Sequence, residues 1–262
     1  MESSRTSADQ LAEIDLTATD YVAFLLVAIL AINAVWRFSR PQVNNAGLLR
    51  VNLAMILVIL CSVSVVYEFI DPMLGGRSYL NLTSHLLMLY SGWQITVSLT
   101  AILEDMEGIN TPRISTHPVT LIASCLLVVG SFFVLSPTSS RGLDSYDHHL
   151  AFVVYWVGTL IPLILGAFQV IPRMVNLAPL IFKAQCSTRA TLCLLWLSYA
   201  GIILSATSYG ITAAFQGFWV IREAIVSVTT LLFAVSLLMA TAALPQPRGR
   251  KLQHQLQKVN RI

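Results

Sequence analysis

The chain has 262 residues, of which 56% are hydrophobic and 11% charged, with a mean hydropathy of +0.72 and a formal charge of +3. Soluble domains carry roughly 25% charged residues, so the composition argues against a water-soluble globule. The small positive surplus, with no basic patch interleaved with aromatics, gives no ground for a nucleic-acid partner.

The apolar residues come in blocks of about twenty with almost no charge inside, which is the pattern of transmembrane helices. Lipid offers no partner to a free backbone N–H or C=O, so each block is predicted to be helical. The short alternating segments of a β-barrel are missing. The expected fold is all-α, a polytopic membrane protein built as a seven-transmembrane-helix bundle.

In chain order, residues 1–17 form a polar, acidic arm with Glu2, Asp9, Glu13 and Asp15, lacking the basic-then-apolar order of a signal peptide. The membrane domain covers 18–244, with spans at about 19–38, 48–67, 79–103, 118–135, 149–171, 189–212 and 224–244. Trp36 and Arg37 close the first span with an aromatic and a cation at interface level. The connector from Tyr67 to Tyr79 carries Glu68, Asp71 and Arg77 and the turn residues Asp71-Pro72 and Gly75-Gly76. It is expected as an exposed turn with its acids at the membrane rim. Pro162 is expected to loosen a backbone bond in the fifth span. Residues 245–262 form a basic tail with Arg248, Arg250, Lys251, Lys258 and Arg261. Cys61, Cys125, Cys186 and Cys193 make no CxxC pair, so neither a zinc site nor a disulfide frame is suggested.

Seven spans put the two termini on opposite sides. With the C-terminus in the cytoplasm, twelve of the sixteen Lys and Arg residues fall inside and four outside, and ten of the thirteen acids fall outside. The positive-inside rule then predicts N-terminus out and C-terminus in, in a multi-pass cell membrane protein.

Ionisable groups inside lipid are costly and mark functional candidates. Lys, Arg, Asp and Glu avoid the middle of every span, which argues against a carboxylate proton relay, a voltage sensor and a retinal Schiff base. His85 is the deepest ionisable residue, about two turns into the third span, followed by Trp93 and Gln94. With Glu68, Asp71, Arg77, His148, His149, Arg222 and Glu223 it makes an outward-facing set of ligand-binding candidates. The plainer readings are a neutral histidine bonded to a neighbouring helix and a solvated rim with weak local ion pairs. Seven-helix hydrolases of the ceramidase-like type carry paired histidines in the last span. This last span has no histidine, so no metal, no cofactor and no catalytic residue is assigned. Asn81-Leu82-Thr83 matches a glycosylation sequon against the membrane. Small residues along the sixth span, among them Ser198, Gly201, Ser205 and Gly210, favour close helix packing or a homo-oligomer face.

The string Trp36-Arg37, Arg40-Pro41, Arg50, Ile70-Asp71, Gly75-Gly76, Asn81-Leu82 and His85 resembles a family of actinomycete seven-helix membrane proteins that carry the labels of transporter or integral membrane regulator. The resemblance covers residues 19–103 and loosens over spans four to seven. Members often continue into a soluble helical C-terminal domain, which this sequence is not expected to contain. The family has no assigned reaction and so implies no catalytic residue.

The expected function is a non-enzymatic one: a small transporter or the membrane component of a regulatory system. A sensor that binds a ligand on its outer face is the second reading, and an intramembrane metal-dependent hydrolase the third. Partners are the lipid bilayer and a cytoplasmic protein touching the 104–117 loop or the basic tail. Mid-span polar groups are modest (Ser62, Ser64, Gln94, Thr96, Ser98, Ser124, Gln169, Ser198 and Ser205), which counts somewhat against ion transport.

Overall fold

The computed structural model describes residues 18–39, 46–107, 116–138, 143, 146, 149–176, 186–214 and 219–243. The acidic arm, most of the 104–117 loop, His148 and the basic tail lie outside them. Among the described residues the structure is all-helical. The helices are α1 (Ala18–Phe38), α2 (Ala46–Ser62), α3 (Ser64–Met73), α4 (Tyr79–Glu107), α5 (Pro118–Leu135), α6 (Leu150–Asn176), α7 (Cys186–Ala214) and α8 (Trp219–Ala243).

Pro118–Leu135, Leu150–Asn176 and Arg189–Thr212 are long and apolar enough to cross a membrane, and the bent pair Leu49–Ser62 and Ser64–Met73 makes a fourth if it is one broken span. Large apolar side chains such as Ile32, Leu126, Phe133, Phe168, Leu204 and Leu231 point outward. That surface is what a helix bundle presents to lipid, and the chain has the character of a membrane protein.

Side-chain contacts give the directions of the helices. His85 meets Trp156, while a Cβ on Gly92 would meet Leu163 and one on Gly166 would meet Thr96. The constant offset of 70 or 71 residues makes α4 and α6 parallel. α5 is antiparallel to α6, since Phe132 meets Tyr155 and Val128 lies against Gly158. α8 is antiparallel to α7, since Arg222 lies over Tyr209 and Thr229 against Gly201. The Asn52 amide donates to the Asn33 side-chain oxygen at 3.3 Å and ties α1 to α2. The starts of α1, α4, α6 and α8 therefore share one end of the bundle with the close of α2, α5 and α7.

The core has two storeys. At the shared end it is aromatic: Phe132, Phe152, Tyr155 and Tyr209 with Leu89, Val128, Leu135 and Leu143. Further along it is mostly aliphatic, with Leu30, Val51, Leu99, Leu160, Leu163, Val170, Leu192, Leu195 and Ile202 around Tyr199. Many buried hydroxyls answer to their own helix. Ser91, Thr96, Ser98, Thr159, Ser198 and Thr212 each donate to the carbonyl four residues earlier. Such back-bonding lets a polar side chain sit in lipid or core without a distant partner.

Three expectations for residues 48–79 are corrected. Residues 48–67 are not one straight span: α2 stops at Ser62 and α3 leaves at 85°. Val63 between them is extended (φ −70°, ψ 132°), which interrupts the helical hydrogen bonds. The connector expected as a turn is helical up to Met73, with Pro72 in the final turn, and turns only at Gly75 and Gly76, where φ is 101° and 62°. Asp71 is fully buried rather than at the rim. α6 runs as a single helix through both Pro162 and Pro172.

Candidate functional site

α3 and α4 are positioned by two carboxylates acting at a distance in sequence. Val63, the residue before α3, has no side-chain cap of its own. The Asp20 carboxylate in the first turn of α1 fills that role: it accepts from Ser64 N at 2.9 Å and from Ser64 Oγ at 2.8 and 3.0 Å. At the other end of α3, the Asp71 carboxylate accepts from Ser78 N and Leu80 N, each at 3.2 Å, and so caps α4. A helix N-terminus leaves its first N–H groups without intrahelical partners, and an anion there also meets the positive end of the dipole. Ser78, with φ 57°, donates its hydroxyl to Thr138 O at 2.9 Å and joins the start of α4 to the segment after α5.

One turn beyond this cap stands His85. Its Nδ1 lies 2.9 Å from the Asn81 carbonyl oxygen. A carbonyl only accepts, so Nδ1 carries the hydrogen, and in the neutral ring Nε2 is left as a bare acceptor. The ring is held between Tyr155, with centroids 4.6 Å apart, and Trp156, edge-on at 4.3 Å. Trp156 stacks on Tyr209 at 4.7 Å with planes 15° apart. The Arg222 guanidinium lies 5.3 Å from the Tyr209 centroid and 5.9 Å from that of Phe152. A cation over aromatic faces in a desolvated place gains about 2 kcal/mol.

The unusual feature of this cluster is what its rings leave unused. His85 Nε2, Tyr155 Oη and Trp156 Nε1 are all shut off from solvent and make no hydrogen bond. Each such group costs about 1–3 kcal/mol when buried without a partner, and native structures seldom tolerate several together. The three belong to rings in mutual contact, one an acceptor, one a donor and one able to do both. Between them the rings hold one unused acceptor, one unused donor and one group able to be either.

The expected site residues divide. His85 and Arg222 join the cluster, linked through Trp156 and Tyr209. Arg222 was placed at a solvated rim by its sequence position, but it is buried one turn into α8. Asp71 serves the helix start that carries His85. Glu68, Arg77 and His149 are exposed, and His149 touches only the Tyr146 ring, at 5.9 Å, among the aromatic contacts. His148 and the side chain of Glu223 lie outside the described residues. Asn81 is buried on α4, which does not suit a glycosylation acceptor. Among the described residues no three His, Cys, Asp or Glu side chains come together to hold a metal ion.

Sequence reasoning missed Tyr155, Trp156, Phe152 and Tyr209. A signal was present: Phe152, Tyr155, Trp156 and Thr159 sit at helical spacing and form one face of α6. Comparison with family models, with characterised proteins and with solved structures gives no match.

Proposed function

We propose that this chain is a non-enzymatic cell membrane protein that binds a small molecule in the His85 cluster and acts as the membrane component of a regulatory system. One observation carries the reading: three ring heteroatoms, His85 Nε2, Tyr155 Oη and Trp156 Nε1, are buried together without hydrogen-bond partners. The remaining polar groups of α4, α6 and α7 mostly bond back to their own helices, which favours reception at one end over passage through the bundle. In this reading α1, α2 and α4 to α8 are the seven spans, and α3 lies along the interface where it turns by 85°. The N-terminus and the cluster then face outside. The C-terminal tail and the 104–117 loop face the cytoplasm and meet the protein partner. The resemblance to actinomycete transporter or regulator proteins is in keeping with this.

Small-molecule transport is the second reading, favoured by the bond between Thr96 Oγ1 and Tyr199 Oη (3.2 Å) and the Ser205–Thr229 contact (3.3 Å), which continue the polar line from α4 to α7 and α8 below the cluster. Proteoliposomes separate the two: saturable binding without accumulation supports the sensor, and accumulation inside the vesicle supports the transporter. Reporter fusions test the topology. A cytosol-only reporter at residue 262 that stayed dark would overturn the orientation.

A further inference from the structure

The ten residues of α3 have differently composed sides. Ser64, Tyr67 and Asp71, at three- and four-residue spacing, form the buried side. With about 3.6 residues per turn, Phe69 and Met73 fall opposite them, and these are 56% and 74% exposed. Glu68 and Pro72 lie on one flank, both exposed, and Val66 and Ile70 lie on the other, both half-buried. The side turned away from the bundle is thus apolar, and its one charge, Glu68, sits on a single flank.

The length of α2 says where this helix lies, and the following rests on the reading of α2 as a membrane span. Its 17 residues reach about 25 Å at about 1.5 Å per residue, whereas the hydrocarbon core is about 30 Å thick. α2 therefore ends at or just inside the outer boundary of the hydrocarbon, and there α3 departs at 85°. A helix at right angles to a span runs in the plane of the bilayer. At that depth its four sides meet four surroundings: the bundle, the headgroups, neighbouring lipid and the acyl chains below. The buried stripe, the Glu68 flank, the Phe69–Met73 side and the Val66–Ile70 flank match them in that order. Apolar side chains exposed at this level are the mark of a membrane contact.

We infer that α3 is a lipid-binding helix of the outer leaflet, with Phe69 and Met73 set among phospholipid acyl chains just below the headgroups and Glu68 toward water. The same helix holds the start of α4 through Asp71, so the lipid contact and the cap of the His85 helix belong to one ten-residue element.

The test is spin labelling of the full chain with Cys61, Cys125, Cys186 and Cys193 replaced by alanine, in vesicles of phosphatidylcholine and phosphatidylglycerol. Labels are placed by Glu68→Cys, Phe69→Cys and Met73→Cys, with Leu57→Cys on α2 and Leu126→Cys at the middle of α5 as references. Power saturation compares collisions with oxygen, which gathers among acyl chains, and with a water-soluble nickel chelate. Near-ultraviolet circular dichroism checks each fold, and Val66→Cys replaces Phe69→Cys or Met73→Cys if either fails to fold. The expected result is oxygen over nickel at Phe69→Cys and Met73→Cys, at a depth of about 5–10 Å, and nickel over oxygen at Glu68→Cys. Nickel over oxygen at all three positions, with Leu57→Cys deep in lipid, overturns the inference and leaves α2 a span. Low collision with both reagents at Phe69→Cys and Met73→Cys overturns it too, because protein, from this chain or a second copy, would then cover the face. A water-accessible Leu57→Cys label beside a lipid-embedded Leu126→Cys label removes the reading of α2 as a span, and the inference with it.

Discussion

The substitution Tyr155→Phe removes one oxygen and nothing else from the cluster. In the wild-type chain Tyr155 is fully buried, and its Oη has no hydrogen-bond partner. An unpartnered hydroxyl costs about 1–3 kcal/mol relative to an apolar atom in the same place. Part of that cost is also present in the membrane-embedded unfolded state, and polar contacts in helix bundles average only about 0.6 kcal/mol. The ring contacts to His85 at 4.6 Å, Phe132 at 6.1 Å and Trp156 at 6.4 Å survive the change. The variant should therefore be more stable than wild type by about 0.5–2 kcal/mol. Titration of the micelle-bound protein with sodium dodecyl sulfate, followed by near-ultraviolet circular dichroism, reads this directly. A loss of about 1 kcal/mol or more would mean that Oη has a partner, such as an ordered water. The argument that the cluster stores unused hydrogen bonds would then fail. Gain in stability with loss of binding is the combination that distinguishes a functional group from a structural one.

Three further outcomes follow from the same structure. Asp20→Ala removes the acceptor of both Ser64 N and Ser64 Oγ and should cost about 1–3 kcal/mol. Hydrogen exchange should speed up in the first turn of α3, and unchanged exchange would show that the cap is dispensable. Asp71→Ala strips the acceptor of Ser78 N and Leu80 N and should cost about 1–2 kcal/mol, with Asp71→Asn milder, measured by the same detergent titration. Gly166→Val places a Cβ 2.6 Å from Thr96 Oγ1, forces α4 from α6 and should cost about 1–3 kcal/mol by that titration. A Gly166→Val protein as stable as wild type would contradict the close packing of this pair.

The helical class was legible because twenty-residue apolar blocks admit no other backbone solution in lipid. His85 was legible as the deepest ionisable group of its block. The break at Val63 was not, because neither Ser62-Val63-Ser64 nor its neighbours include a proline or glycine. The bend depends on Asp20, forty-four positions earlier. Asp71 read as a rim acid because it sits beside Pro72 and Gly75-Gly76, yet the N–H groups it caps belong to the following helix. Arg222 read as a loop cation because it ends an aromatic stretch. Only the antiparallel seating of α8 on α7 brings it over Tyr209. Each miss is a tertiary pairing, and a single sequence carries no record of which distant groups meet.

The two carboxylate caps have a consequence for the proton on His85. Asp20 holds the start of α3, Asp71 at the far end of α3 holds the start of α4, and Asn81 in the first turn of α4 takes the Nδ1 hydrogen. These contacts form a relay from the first turn of α1 to an imidazole sixty-five positions later. The helix that carries both His85 and its Asn81 partner is thus fastened, through α3, to the first turn of α1. Nuclear magnetic resonance of the ring nitrogens would see it. In Asp20→Ala the single-tautomer signal of His85 should broaden toward a mixture, although the ring itself meets Asn81, Tyr155 and Trp156 rather than Asp20.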